Sequence, residues 1–145
     1  MKDLIEVRIL SAIRKLLTER VNELLGNCEY AIPIIEFDDN GCGNIVAQVI
    51  SLSNCEKTEK ERIIRLDAYS LTISFSMPES PESELHCYAY SGAVSRVFYD
   101  DRTLGGVVDR AVITGKKYVQ PKKAHCGVGW ELIVSVRLTV EGMKE

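Results

Sequence analysis

Two His-Cys dipeptides, His86-Cys87 and His125-Cys126, are the residues of this 145-residue chain whose types best suit chemistry. Imidazole and thiolate are zinc ligands, and an imidazole beside a thiol can activate it as a nucleophile. Their spacing argues against both uses. Adjacent residues on a helix point about 100° apart, and neither CxxC nor HxxxH spacing occurs. Other signatures fail in similar ways. Gly41-Cys42-Gly43 lacks the third glycine of a dinucleotide loop because position 46 is valine, and neither a GxxxxGK[ST] phosphate loop nor a GxSxG elbow is present. Asp38-Asp39 and Asp100-Asp101 are paired acids of the kind turns recruit for backbone hydrogen bonding. The expectation is a chain with no catalytic, cofactor-binding or metal-binding residues.

Lys116-Lys117 and Lys122-Lys123 bracket Tyr118 and Pro121 in a small basic cluster. With a net charge of −3 around it, the cluster reads as a solvated hairpin end or a protein contact rather than a nucleic-acid grip. Apolar residues make up 46% and charged residues 27%, the mix of a globular domain. The N-terminal stretch MKDLIEVRILSAIRKLLTER is broken by charge every few residues, so it reads as neither signal peptide nor membrane anchor. Five cysteines, an odd number, fit reduced thiols used as small apolar groups. One domain spanning residues 1–145 is expected, in the cytoplasm.

The elements that would position these residues follow from periodicity. Leu4, Ile5, Ile9, Ala12, Ile13, Leu16, Leu17, Val21, Leu24 and Leu25 recur at helical spacing, predicting a helix over 3–25 with an Asp3/Glu6 capping box. β-rich runs at 30–37 and 45–52 flank Asn40-Gly41 and read as a hairpin. Residues 53–62 read as a charged, solvated loop. From Tyr69 to Met77, large apolar residues alternate with Ser and Thr, the mark of a strand covered on one side only. Ser80 as N-cap and Pro81 at the first position predict a second helix, with Ser91 and Ser95 on its exposed side and Ala89, Gly92 and Ala93 lying close to a sheet. After the turn-like DDRTLGG come strands at about 109–119 and 129–141, the last again alternating from Trp130 to Val140. The order α-β-β-β-α-β-β predicts an α+β, two-layer sandwich, its largely antiparallel sheet covered on one face by two helices.

The C-terminal half carries a resemblance. The strand DAYSLTISFSM leads to a helix ending in VSRVFYDDRTLGG, then the strand VVDRAVITGKKYV and the long strand GWELIVSVRLTVEG. In this order the pieces resemble the tail terminator (tail-completion) proteins of long-tailed phages and phage tail-like bacteriocins, loosely including the N-terminal helix and hairpin. The resemblance implies a structural, non-enzymatic protein. It would form a homo-hexameric ring on the head-proximal end of the tail tube, ending tube polymerisation, and would meet the tail tube protein, the sheath protein in contractile systems, and the neck or connector. It implies assembly in the bacterial host cytoplasm and then a place in the tail or tail-like particle. It implies no specific nucleic-acid binding, no membrane and no cofactor.

Interface candidates follow on that reading. Thr103, Leu104, Gly105 and Gly106 are a tight turn at a subunit or tube contact, or else only the stop of a helix. Trp130 anchors either the core or an interface. The stretch with Glu56, Lys57 and Arg62 meets an adjacent ring or is simply wet. Two other functions remain open at this point: a head–tail connector protein, and a small cytosolic enzyme or ligand-binding domain using the Cys and His residues.

Overall fold

The computed structural model describes residues 4–26, 47–59, 64–121 and 128–143. The N-terminal helix runs as α1 (Ile5–Leu16), a π-helical turn (Leu17–Val21) and α2 (Asn22–Gly26). Its most deeply buried residues are Ile9, Ile13, Leu17, Val21 and Leu25, every fourth position. Each step of four overshoots a turn of 3.6 residues, so a regular helix would rotate this stripe by about 40° per step. The π turn takes an extra residue into the coil and cancels part of that rotation, keeping the stripe on the core. The expected capping box is not what starts this helix. Leu4 occupies the cap with no side-chain bond, Asp3 lies outside the described residues, and the Glu6 carboxylate instead accepts a 2.9 Å hydrogen bond from Tyr69 Oη.

Four antiparallel strands follow: β1 (Ala47–Glu59), β2 (Ile64–Pro78), β3 (Arg110–Val119) and β4 (Val128–Met143), in the order β1-β2-β4-β3. The helix α3 (Ser83–Asp100) joins β2 to β3. Both of these strands run antiparallel to β4, so they are parallel to one another, and α3 crosses over β4 to connect them. The result is an α+β sandwich. On one side of the sheet α3 lies against β2, β4 and β3, and the N-terminal helix packs on α3 through its π turn and α2.

The alternation that predicted β2 and β4 holds residue by residue. Tyr69, Leu71, Ile73, Phe75 and Met77 from β2 are buried together with Leu132, Val134, Val136 and Leu138 from β4. Against them α3 places Cys87, Tyr90, Ala93, Val94, Val97 and Phe98. The rings of Phe75 and Tyr90 meet at 5.8 Å and 43°, a tilted contact favoured by the ring quadrupoles.

Three expectations need correction. First, 53–59 is not a loop but the second half of β1, paired from Asn54↔Ser70 to Glu59↔Arg65 with a bulge at Ser53. Charges are tolerated there because β1 is an edge of the sheet among the described residues. The hairpin partner of β1 is therefore β2, and the 30–37 strand with Asn40-Gly41 lies outside the described residues. Second, α3 starts at Ser83 with Glu82 in the cap position, while Ser80 and Pro81 form a preceding turn in which Ser83 N–H donates to Ser80 O at 3.1 Å. Third, Gly92 is exposed with open space around it. The close helix–sheet approach is made instead by Gly129 of β4, where an added Cβ would sit 2.6 Å from Ser83 Cβ.

Candidate functional site

The turn after α3 is built around one carboxylate. Asp101 Oδ1 accepts from Thr103 N–H and Thr103 Oγ1, both at 3.3 Å, and Gly105 N–H reaches Oδ1 at 3.2 Å and Oδ2 at 3.0 Å. Thr103 answers for the next residues: its Oγ1 accepts from Gly106 N–H at 3.2 Å and its carbonyl from Val108 N–H at 3.0 Å. The chain reverses through three successive positive φ angles, 52° at Leu104, 69° at Gly105 and 92° at Gly106. Glycine enters this region freely and leucine does not. Leu104 nevertheless adopts it, because there its side chain plugs into the core and is only 3% exposed. Thus Thr103, Leu104, Gly105 and Gly106 make one rigid unit whose glycines face solvent. Together with Asp101 and Val107, Leu104 and Gly105 close one wall of a cleft of about 400 Å³ opposite Ala12, Leu16 and Arg20 of the N-terminal helix.

Trp130 is half-buried and lies edge-on to Tyr88 at 6.2 Å, and Tyr88 meets Tyr118 edge-on at 5.5 Å. This row of rings runs from β4 across α3 to β3, with Tyr88 Oη donating to Glu84 at 2.9 Å. Glu56 and Lys57 stand on β1 opposite Ala68 and Asp67. Their side chains, and Arg62 altogether, are outside the described residues. The structure therefore brings the turn residues together but leaves Trp130 and the β1 candidates in separate neighbourhoods.

A polar inset between α3 and β3 was not legible in advance. A register shift between Ile113 and Gly115 reverses the parity of β3. Ala111 and Ile113 face the core before it, while after it Lys116 and Tyr118 stand opposite the buried Val134 and Leu132. The Lys116 ammonium donates to Ser91 O at 2.9 Å, to Ser91 Oγ at 2.8 Å and to Ser95 Oγ, so its three N–H groups meet three oxygens. Ser91 Oγ also shares a 2.7 Å bond with Tyr118 Oη. Ser91 is consequently buried rather than exposed, and Ser95 half-buried. The one signal for this in the sequence is Gly115, a glycine inside a strand pattern, which marks bulges. Burial pulls the Lys116 amine below its usual value.

The open side of the sheet carries Val49 and Ser51 from β1, Ser70, Thr72, Ser74 and Ser76 from β2, and Ile133, Ser135, Arg137 and Thr139 from β4. None of the described helices covers it. Val49 is 63% exposed in the middle of this hydroxyl-rich field.

Of the two His-Cys pairs, His125 and Cys126 lie outside the described residues. Cys87 is fully buried in the core, and burial, with Glu84 second, pushes its thiol up to about 11. A nucleophilic cysteine needs the opposite shift. Among the described residues no group of His, Cys, Asp and Glu is arranged to hold a metal ion. No described helix is long and apolar enough to cross a membrane.

The chain was compared with protein-family models and with curated proteins, and neither comparison produced a match. What the arrangement offers lies in its surfaces: a rigid turn, an aromatic row, and, among the described residues, a sheet face that no helix covers and a strand edge without a partner.

Two measurements test the interior. Cys55 is exposed and Cys87 buried, so iodoacetamide should label Cys55 in the native protein and Cys87 only after unfolding, as read by mass spectrometry. Stability should also fall under alkaline conditions. Cys87 has its folded value above its ordinary 9.0, so its contribution is complete below pH 9 and lost as pH rises through about 11. Burial likewise raises Tyr69, aided by Glu6, and Tyr90, so they act in the same sense at higher pH. Lys116 acts oppositely, its cost relieved as pH approaches 10.5, but one amine stands against three acids. The urea midpoint should therefore drop clearly above about pH 10, where all three acids act together.

Proposed function

We propose that this chain is a non-enzymatic assembly protein. In this reading it closes into a ring, of six copies, on the head-proximal end of a phage or phage-like tail tube. There it ends tube polymerisation and offers the neck, and the sheath where one exists, a surface to join. The reading rests on the resemblance of the C-terminal half. Its strand, helix, Asp101-to-Gly106 turn and two strands make up β2, α3, β3 and β4 of one continuous sheet.

The observation that carries it is the side of that sheet that none of the described helices covers. Antiparallel sheets tolerate one wet face. Here the face mixes hydroxyls with the exposed Val49 and a half-buried Ile133, and it ends at the β3 edge. Such surfaces suit contact between copies better than idle solvation, since an open edge invites pairing unless something covers it. A ring requires heterologous contacts, one patch on each copy meeting a different patch on the next. The acidic balance of the chain would also keep the ring from gripping DNA.

Assembly without this protein is the direct test. Micrographs should show tubes or sheaths of uncontrolled length, and adding the purified chain during assembly should restore a single length. Tails of correct length that simply lack heads would favour a head–tail joining role instead and overturn the terminator reading.

A further inference from the structure

We propose that Ser95 is an acylation site: Lys116 serves as its base, and the groove beside it takes the chain of an activated acyl ester. The two residues meet between α3 and β3, where the Lys116 amine contacts Ser95 Oγ directly. Ser95 is half-buried and also lines a groove of about 240 Å³. The residue therefore has a base on one side and open space on the other. A nucleophilic serine requires this pairing, with nucleophile and base in hydrogen-bond reach.

The hydrogen bonds around Lys116 suit a neutral amine as well as an ammonium. A neutral lysine has two N–H groups and one lone pair. The N–H groups match the two acceptors on Ser91, its carbonyl at 2.9 Å and its Oγ at 2.8 Å. The lone pair is left for the Ser95 hydroxyl proton. Ser91 Oγ keeps its own proton for Tyr118 Oη, 2.7 Å away, so each member of the network stays bonded when Lys116 loses its charge. From α3 the amine meets Ser91 and Ser95, and on β4 Lys116 stands opposite the apolar Val134. Tyr118, bonded through Ser91, is the other titratable group of this network. The three oxygens around the amine are neutral, so none of them holds it as an ammonium by opposite charge. Burial disfavours the charged form too, and pulls the amine below its usual value.

The groove fits the acyl partner. Phe98, Ala111, Val112 and Ile113 line it with apolar surface, which removes a short alkyl chain from water. Arg102 lines it as well, and guanidinium N–H groups are suitable donors for a developing oxyanion. In the step, Ser95 Oγ forms a bond to the acyl carbon, and the bond from that carbon to its oxygen or sulfur leaving group breaks. The hydroxyl proton passes through Lys116 to the leaving group. Neither an oxidant nor a reductant is needed. The product is one ester on the chain itself, a modification and not a turnover, so it goes beyond the assembly reading and does not depend on it.

Treating the full-length protein with p-nitrophenyl butyrate provides the test. Peptide mass spectrometry should find one butyryl group on Ser95, released by alkaline hydroxylamine as an oxygen ester is and a lysine amide is not. The labelling rate should rise with pH and level off below 10.5, the ordinary lysine value. Ser95→Ala should abolish this adduct. Lys116→Arg keeps a cation with N–H donors at the position but supplies no base. It should slow the labelling at least about 100-fold. Circular dichroism establishes that both variants are folded. An unchanged rate in Lys116→Arg, a rate that climbs with pH without levelling, or butyrylation confined to lysine amines overturns the proposal. So does a wild-type chain that gains no adduct at all.

Discussion

Replacing Leu104 with alanine should lower stability by about 2–5 kcal/mol, and replacing it with glycine should cost no more. The first expectation follows from burial, since Leu104 is 3% exposed and part of the core cluster. The second reverses the usual order. Glycine is ordinarily worse than alanine by about 0.5–1 kcal/mol within regular structure because it loses more freedom on folding. Leu104, however, has φ of 52°, where an L side chain carries a penalty of roughly 1–2 kcal/mol that glycine escapes. The strain relieved therefore matches or exceeds the entropy lost. Urea midpoints for the two variants decide it, and a glycine variant clearly weaker than the alanine variant would refute the strain account. The same pair bears on the turn's role. If Thr103–Gly106 forms a contact between copies, ring formation should suffer in both variants beyond what their stability explains.

Gly129→Ala should be nearly as damaging although it adds a single methyl group. That carbon would stand 2.6 Å from Ser83 Cβ, 2.8 Å from Ser83 Oγ and 2.9 Å from the carbonyl oxygen of Pro78. The serine belongs to the first turn of α3 and the proline carbonyl to the end of β2, so the helix and two strands must part to admit it. Overpacking of this kind costs about 1–3 kcal/mol. For a chain of this size that is a fall of roughly 2–12 °C in Tm. Adding Ser83→Gly removes two of the three close contacts and should recover part of the loss. Failure of the double variant to recover would mean that the backbone carbonyl alone sets the cost, and an unchanged Tm for Gly129→Ala would refute the close approach.

Local periodicity was enough for much of the fold. The alternation in Tyr69–Met77 and Trp130–Val140, and the apolar stripe from Ile9 to Leu25, are enforced by burial on one face, and burial leaves its mark in consecutive residues. The Thr103–Gly106 turn was legible for a related reason: consecutive glycines after an Asp and a Thr permit few backbones other than a capped reversal. The extension of β1 through Glu59 was not legible. Its residues show no apolar alternation, and what makes them a strand is the ladder offered by β2.

Composition and pattern by themselves determined an acidic α+β chain, its two strongest strands, its helices and the tight turn after the second. Only the tertiary structure decided that β4 inserts between β2 and β3, that the bulge near Thr114 turns Lys116 and Tyr118 toward α3, and that Ser91 is buried beneath them. It alone also placed Ser95 between the Lys116 amine and the groove. The division has a physical cause. Side-chain periodicity reports which face of a segment is dry, whereas strand order, register and bulges are set by hydrogen bonds to residues distant in the chain.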